Sequence, residues 1–183
     1  MLPDNNTDSA DPAEPPQVGA DPSALEAPKH ALDGATGCGH LAKRSGLASA
    51  RAKHGLPGEI LIIDDEALDA ERLTATLHVL FGYQVLIRWA CSLSDAVDSL
   101  AERQPCITFL DDILKPAGDA FLSIPDLRRA GYLGPVIVVS GAVTQSRRTR
   151  LMAVGASDVI HKDDVDSVRV AEAVARAREL PTR

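Results

Sequence analysis

Aromatic side chains are scarce in this chain: Phe, Tyr and Trp make up 3% of its 183 residues. A surface that grips single-stranded nucleic acid by stacking bases needs aromatic faces, so that mode of binding is excluded. An excess of positive charge is missing as well. Lys and Arg number 19 against 26 Asp and Glu, and a formal net charge of -7 is repelled by a phosphate backbone, so no direct nucleic-acid partner is expected. Cysteine is limited to Cys38, Cys91 and Cys106, with no CxxC pair and no Cys/His spacing of a zinc site. Cys91 and Cys106 lie in or beside apolar segments and are expected to be small buried residues. An odd cysteine count without a secretion signal points to a reducing compartment. No run approaches the roughly 18 apolar residues of a membrane helix, and no basic region followed by an apolar core opens the chain. The expectation is a soluble, cytoplasmic protein with no membrane partner.

What is present divides into three stretches. Residues 1–28 hold Asp4, Asp8, Asp11, Glu14, Asp21 and Glu26 without Lys or Arg, and Pro12, Pro15, Pro16, Pro22 and Pro28 interrupt any helix. So little apolar surface cannot offset the entropy of ordering, and this acidic, Pro-rich tail is expected to be disordered. Residues 29–58 are basic and Gly-rich: Lys29, Lys43, Arg44, Arg51 and Lys53 oppose Asp33 alone. They suit either a linker or a partner-binding arm. From Glu59 the pattern changes to that of a folded domain over 59–180.

Ile60-Leu61-Ile62-Ile63 is a continuous apolar run ending in Asp64-Asp65-Glu66, the signature of a strand buried on both faces. Ala70, Leu73, Leu77 and Leu80 then recur at helical spacing, and Gly82 ends that helix. Val85, Ile87 and Trp89 alternate along a second strand. A second helix over 94–103 is expected to turn Val97, Leu100 and Ala101 inward, with Ser92 or Ser94 as its cap. Cys106 to Leu110 form a third strand ending in Asp111-Asp112. A Pro/Gly loop over 114–119 leads to a third helix within 120–130, where Pro125 must kink the helix or define its first turn. Val136 to Val139 form a fourth strand ending in Ser140-Gly141. A helix over 144–154 presents Leu151 and Val154. Asp158 to His161 form a fifth strand, followed by Lys162. A last helix over about 164–180 is expected to bury Val168, Ala171, Val174 and Ala175. Strands alternating with helices through short connections predict an α/β fold, a doubly wound five-stranded parallel sheet covered on both faces.

Ligand sites in such sheets lie at the carboxyl ends of the strands. Asp64 and Asp65, Asp111, Ser140 and Lys162 all fall at such ends. A single Asp, Ser or Lys there is ordinarily a turn or cap residue; the joint arrangement is what points to a site. Three converging carboxylates repel one another unless a cation neutralises them. A hard, oxygen-seeking ion such as Mg²⁺ suits them. One aspartate then attacks phosphorus to form an acyl phosphate. Lys162 would pair with that carboxylate before reaction and with a phosphoryl oxygen afterwards, and the Ser140 hydroxyl would donate to another. His161 reads as a surface or packing residue. Arg147, Arg148 and Arg150 read as a solvated helix face or as interface ion pairs.

Taken in order, Ile60-Leu61-Ile62-Ile63-Asp64-Asp65-Glu66, Phe109-Leu110-Asp111, Val138-Val139-Ser140-Gly141 and Ile160-His161-Lys162 resemble the receiver domain of two-component response regulators over about 59–180. The resemblance implies a CheY-like (βα)5 flavodoxin-like receiver fold and Mg²⁺ held by Asp64, Asp65, Asp111 and the backbone carbonyl of Ile113. It implies Asp111 as phosphoacceptor, with Ser140 and Lys162 binding the phosphoryl group. Proline usually stands four residues after the acceptor in this family, and Pro116 in that place would select Asp112. Asp111 is favoured because it directly ends the apolar run and sets Leu114 where an apolar anchor is wanted. Two departures stand out: Val159 occupies the position of the usual Phe or Tyr switch, and Asp163 replaces the usual proline after the lysine.

The function implied is a stand-alone phosphoryl-accepting response regulator, not a conventional enzyme. It would take a phosphoryl group from a histidine kinase or histidine phosphotransfer protein and act through a downstream protein target, with homodimerisation as an option. The alternatives are a degenerate receiver serving as a phosphorylation-independent interaction module and a metal-dependent phosphohydrolase.

Overall fold

The computed structural model describes residues 57–179. The acidic stretch 1–28 and all but the last two residues of the basic stretch 29–58 lie outside the described residues. Five strands, β1 (Glu59–Ile63), β2 (Leu86–Ala90), β3 (Ile107–Asp111), β6 (Val136–Ser140) and β7 (Asp158–His161), pair in parallel in the order β2-β1-β3-β6-β7. Between β3 and the next helix, β4 (Ile113–Leu114) and β5 (Gly118–Asp119) pair antiparallel, so the expected Pro/Gly loop is a miniature hairpin. The helices are α1 (Ala67–Phe81), α2 (Leu93–Glu102), α3 (Ala120–Arg129), α4 (Gln145–Ala153) and α5 (Ser167–Glu179). This is the doubly wound, flavodoxin-like architecture that the alternation predicts.

The central strands read as unbroken apolar runs because both of their faces are covered. Ile60, Ile62, Phe109, Ile137, Val139 and Ile160 pack against Leu73 and Leu77 of α1 and Val170 and Val174 of α5. Their neighbours Leu61, Ile63, Leu110, Val136, Val138 and Val159 pack on the other face against Leu100 of α2, Ile124 and Leu127 of α3 and Leu151 of α4. The two sets alternate along each strand, as the period of a strand requires. β2 is the edge strand, and there the expected alternation holds for buried Val85 and exposed Leu86 but fails at Trp89, which is 51% exposed.

Capping follows the side-chain oxygens. Ser92, not Ser94, accepts from the Asp95 amide and starts α2; Asp119 does the same for α3 through Phe121, and Thr144 for α4 through Arg147. Gly82, at φ 86°, stops α1 with its amide on His78. That backbone conformation lies in the region where a Cβ is penalised.

Several side chains face other directions than the sequence suggests. α2 buries Ala96 and Leu100, leaving Ala101 exposed and Val97 half-buried. α5 buries Val170, Ala173, Val174 and Ala177, while Val168, Ala171 and Ala175 sit at its margins. Val154 is exposed. Pro125 lies inside α3 beyond the first turn and forgoes one amide bond there. Cys91, just after β2, and Cys106, just before β3, are exposed rather than buried. Among the described residues, no helix is long and apolar enough to cross a membrane.

Candidate functional site

The carboxyl ends of β1, β3, β6 and β7 carry every polar residue singled out from the sequence, but strand parity divides them between two neighbouring clusters. Asp111 is the last residue of β3 and shares parity with Phe109, on the face covered by α1 and α5. Ser140 ends β6 and shares parity with Val138, on the face covered by α2, α3 and α4.

On the first face, carboxylate oxygens of Asp64, Asp65 and Asp111 lie within 4.8 Å of one another. Lys162 reaches into this group: its Nζ stands 2.9 Å from Asp111 Oδ1 and 3.7 Å from Asp64 Oδ2. It also donates to Asp69 Oδ2 at 2.6 Å, across from the first turn of α1. The loops are fixed by their own amides, Glu66 N–H donating to Asp64 Oδ1 at 2.8 Å and Ile113 N–H to Asp111 Oδ2 at 3.2 Å. From the edge strand, Trp89 Nε1 donates to the Asp64 carbonyl at 2.8 Å. Ile113, Lys115, Asp112 and Gly141 line the open mouth above Asp65, Asp111 and Lys162.

Burial dominates the electrostatics. It pushes Asp64 up to about 6; the Glu66 amide opposes the shift, the nearby Asp111 charge adds to it, and Lys162 holds it back. Burial raises Asp111 as well, against its hydrogen bond to Lys162. For Lys162, burial favours the neutral amine, but the bonds to Asp69 and Asp111 outweigh it and raise the group above its ordinary value. Largely buried, mutually repelling oxygen donors, with Lys162 among them and the exposed Lys115 3.7 Å from Asp65 Oδ2, fit a hard divalent ion, which would relieve both the repulsion and the desolvation.

Asp64 thereby couples stability to pH. Its folded-state value lies above the ordinary carboxylate value, so the folded protein binds the extra proton between about pH 4 and 6 and stability falls as pH rises through that window. At pH 7.5 without divalent ions, Asp64→Asn is expected to stabilise the domain by about 3 kcal/mol, since each pH unit by which a carboxyl stands above its ordinary value costs the ionised folded protein about 1.4 kcal/mol. Near pH 4 the gain should vanish. Urea denaturation in chelator at both pH values measures it, and a variant no more stable than wild type at pH 7.5 would contradict the assignment.

On the second face, Asp112 is buried and held by three donors. Arg147 Nε bonds its Oδ2 at 2.6 Å and Arg147 Nη2 its Oδ1 at 2.7 Å, while the Ser140 hydroxyl donates to Oδ2 at 2.6 Å. The two adjacent aspartates are therefore unlike: Asp111 belongs to the acidic cluster, and both oxygens of Asp112 are engaged elsewhere. Arg147 and Arg148 are not a solvated face. Arg148 pairs with Asp158, a carboxylate that also receives Arg169 and Arg176. Val159 is buried, and its carbonyl accepts from Arg148 and Arg169.

The sequence reading missed Asp69, Trp89 and the pairing of Arg147. The available signals were an acidic residue in the first turn of the helix after Asp64, and a second buried carboxylate at Asp112 that needed a cation.

Comparison with known proteins gives a consistent result. A family model described as the response regulator receiver domain matches residues 60–175. Among solved structures, the signal receiver domain of a DNA-binding response regulator (merR) from Colwellia psychrerythraea 34H is 28% identical. The match covers 67% of this chain and 98% of that one, with a TM-score of 0.58. A two-component response regulator from Clostridium difficile is 20% identical, covering 66% of this chain and 96% of its own, at a TM-score of 0.58. The BeF3-activated N-terminal receiver domain of Klebsiella pneumoniae RstA is 21% identical, covering 66% and 99%, at a TM-score of 0.55. No curated protein sequence matches the chain.

Proposed function

This chain belongs to the response regulator receiver domain family, and on that premise we propose that Asp111 accepts a phosphoryl group from a phosphohistidine of a histidine kinase or histidine phosphotransfer protein. Family membership and the acidic cluster support a phosphoryl-accepting role in general, as distinct from that of a conventional enzyme. The observation that carries the finer reading is the meeting of Asp64, Asp65 and Asp111 within 4.8 Å, with Lys162 Nζ 2.9 Å from Asp111.

Asp64, Asp65, Asp111 and the Ile113 carbonyl would hold Mg²⁺. When bound, the ion supplies charge neutralisation and orientation of the incoming group. A carboxylate oxygen of Asp111 forms the new O–P bond as the N–P bond to the donor imidazole breaks, and the departing nitrogen keeps the electron pair. Lys162 pairs with the acceptor beforehand and with the charge that builds on the transferring phosphoryl oxygens. Asp69 and Trp89 steady Lys162 and the Asp64 loop. Asp112 is the weaker candidate for acceptor, because Arg147 and Ser140 occupy its oxygens. A downstream protein target reads the phosphorylated state.

Borohydride trapping after incubation with acetyl phosphate and Mg²⁺, followed by mass-spectrometric mapping, tests the assignment. The modified residue is expected to be Asp111. Modification at Asp112 would move the acceptor, and an unmodified, well-folded chain would end the reading. Trp89, the sequence's single tryptophan, reports on Asp64 through its indole N–H. Its fluorescence is expected to change in a saturable way on adding Mg²⁺ and to stay unchanged in Asp64→Asn; an unresponsive wild type would count against Mg²⁺ at this site.

A further inference from the structure

A serine hydroxyl has one proton to donate, and in this structure the proton of Ser140 is committed. A carboxylate oxygen can only accept, so the 2.6 Å contact runs from Ser140 Oγ to Asp112 Oδ2. The same hydroxyl oxygen accepts the Ala142 amide at 3.2 Å, and the Ala142 carbonyl at 3.3 Å is a longer, neutral and therefore weaker acceptor for the proton than Asp112. A phosphoryl group on Asp111 would present a second anionic acceptor at the rim of the same strands. Ser140 cannot serve both.

We propose that Asp112 and Arg147 are positioning residues for Ser140, together forming a latch that holds its hydroxyl away from the phosphoryl site until transfer begins. The inference rests on the proposed function and deepens it. The latch is built from the interior of the fold: Ser140 and Asp112 are 2% exposed. Arg147 sits in the first turn of α4, its guanidinium over the Phe121 ring at 5.1 Å, and it grips both carboxylate oxygens in a planar fork. Asp112 and Arg147 act in opposite senses on Ser140. The negative charge of Asp112 attracts the hydroxyl proton. The Arg147 cation draws on that charge and weakens the attraction. The strength of the hold is thus set by the balance of a pair that touches no reacting atom. With valine at position 159, where the family ring usually stands, this pair is a direct polar connection between the site and α4.

The two partners of an ordinary structural ion pair give variants with like effects. A latch gives opposite ones. With the full chain, saturating Mg²⁺ and acetyl phosphate as the phosphoryl donor, Asp112→Asn is expected to raise the initial rate of Asp111 phosphorylation by about three- to tenfold, because a neutral amide accepts more weakly than a carboxylate. Arg147→Gln is expected to lower it by a similar factor, and Arg147→Lys, which keeps the charge, to recover most of the loss. In a Ser140→Ala background, Asp112→Asn should have no further effect. The Mg²⁺ half-saturation read from Trp89 should be the same throughout, which a general disturbance of the site would not leave untouched. Should Arg147→Gln fail to fold, Asp112→Asn and Arg147→Lys still decide the matter. Same-direction effects of the two charge changes, or an Asp112→Asn effect that persists without Ser140, would overturn the latch while Asp111 remained the acceptor. A wild-type chain that takes no phosphoryl group would overturn the proposed function, and the latch with it.

Discussion

Lys162→Met is expected to slow phosphorylation of Asp111 by about 10²–10³-fold while tightening the binding of Mg²⁺. The two effects have one origin. In the folded chain the ammonium is the cation closest to the acidic cluster, 2.9 Å from Asp111 and 3.7 Å from Asp64. An incoming divalent ion must share those carboxylates with it, so removing the ammonium removes a competitor. In the transfer step the balance reverses. Charge builds on the phosphoryl oxygens, and a preorganised donor aimed at them is worth about that factor in rate. The geometry supports preorganisation, since Asp69 takes one ammonium proton at 2.6 Å and leaves others directed at the acceptor. Lys162→Arg should not restore the rate, because a planar fork cannot reproduce three bonds radiating from one nitrogen. Initial rates with acetyl phosphate, together with Mg²⁺ titration of the Trp89 signal, measure both quantities. Weaker Mg²⁺ binding in Lys162→Met, or a rate within a few-fold of wild type, would contradict the role given to Lys162.

Much of this site was legible because the central strands are buried on both faces. A run such as Ile60 to Ile63 must end where burial ends, and the first polar residue after it must stand at the carboxyl edge. That reasoning places Asp64, Asp111 and Ser140 at the edge without knowledge of any contact, and Lys162 follows directly on His161, the first polar residue after Val159-Ile160. Parity alone also separates Asp111 from Asp112. What parity leaves open is the partner: Arg147, Arg148 and Arg150 are alike as a sequence, and only the positions of Asp112 and Asp158 across the turn decide that the first two are tied down while Arg150 lies against the Phe121 ring. The helix phases failed for a related reason. Small apolar residues in α5 occupy Val168, Val170, Ala171, Ala173, Val174, Ala175 and Ala177, so several stripes fit and the sheet selects one of them. In α2 a similar degeneracy let Ala96 take the place expected for Ala101.

The face formed by α4, β7 and α5 depends on a single carboxylate. Asp158 is 1% exposed, and Arg148, Arg169 and Arg176 all close on it, Arg169 Nη1 at 3.0 Å and Arg176 Nη2 at 2.7 Å. Burial pushes the carboxyl up, but the Arg169 and Arg176 hydrogen bonds and the Val159 amide more than reverse this and bring it down to about 2. Removing one side of such a cluster costs more than a surface pair, because three guanidinium groups are left facing one another without an anion. They are not fully enclosed, Arg176 being 47% exposed, and solvent screening takes part of the penalty away. Asp158→Ala is therefore expected to destabilise the domain by about 3 kcal/mol at pH 7, at the low end of what breaking a buried pair costs. Arg176→Ala should cost under about 1 kcal/mol, since two cations remain. The pH dependence separates this from simple loss of packing. A carboxylate depressed in the folded state contributes stability that is complete above its ordinary value and is lost as pH falls from about 4 towards 2. Wild type should lose stability across that window and Asp158→Ala much less, so the two unfolding curves converge near pH 2. A difference that persisted there would assign the effect to packing, and a difference below about 1 kcal/mol at pH 7 would mean that the three arginines are satisfied by water rather than by Asp158.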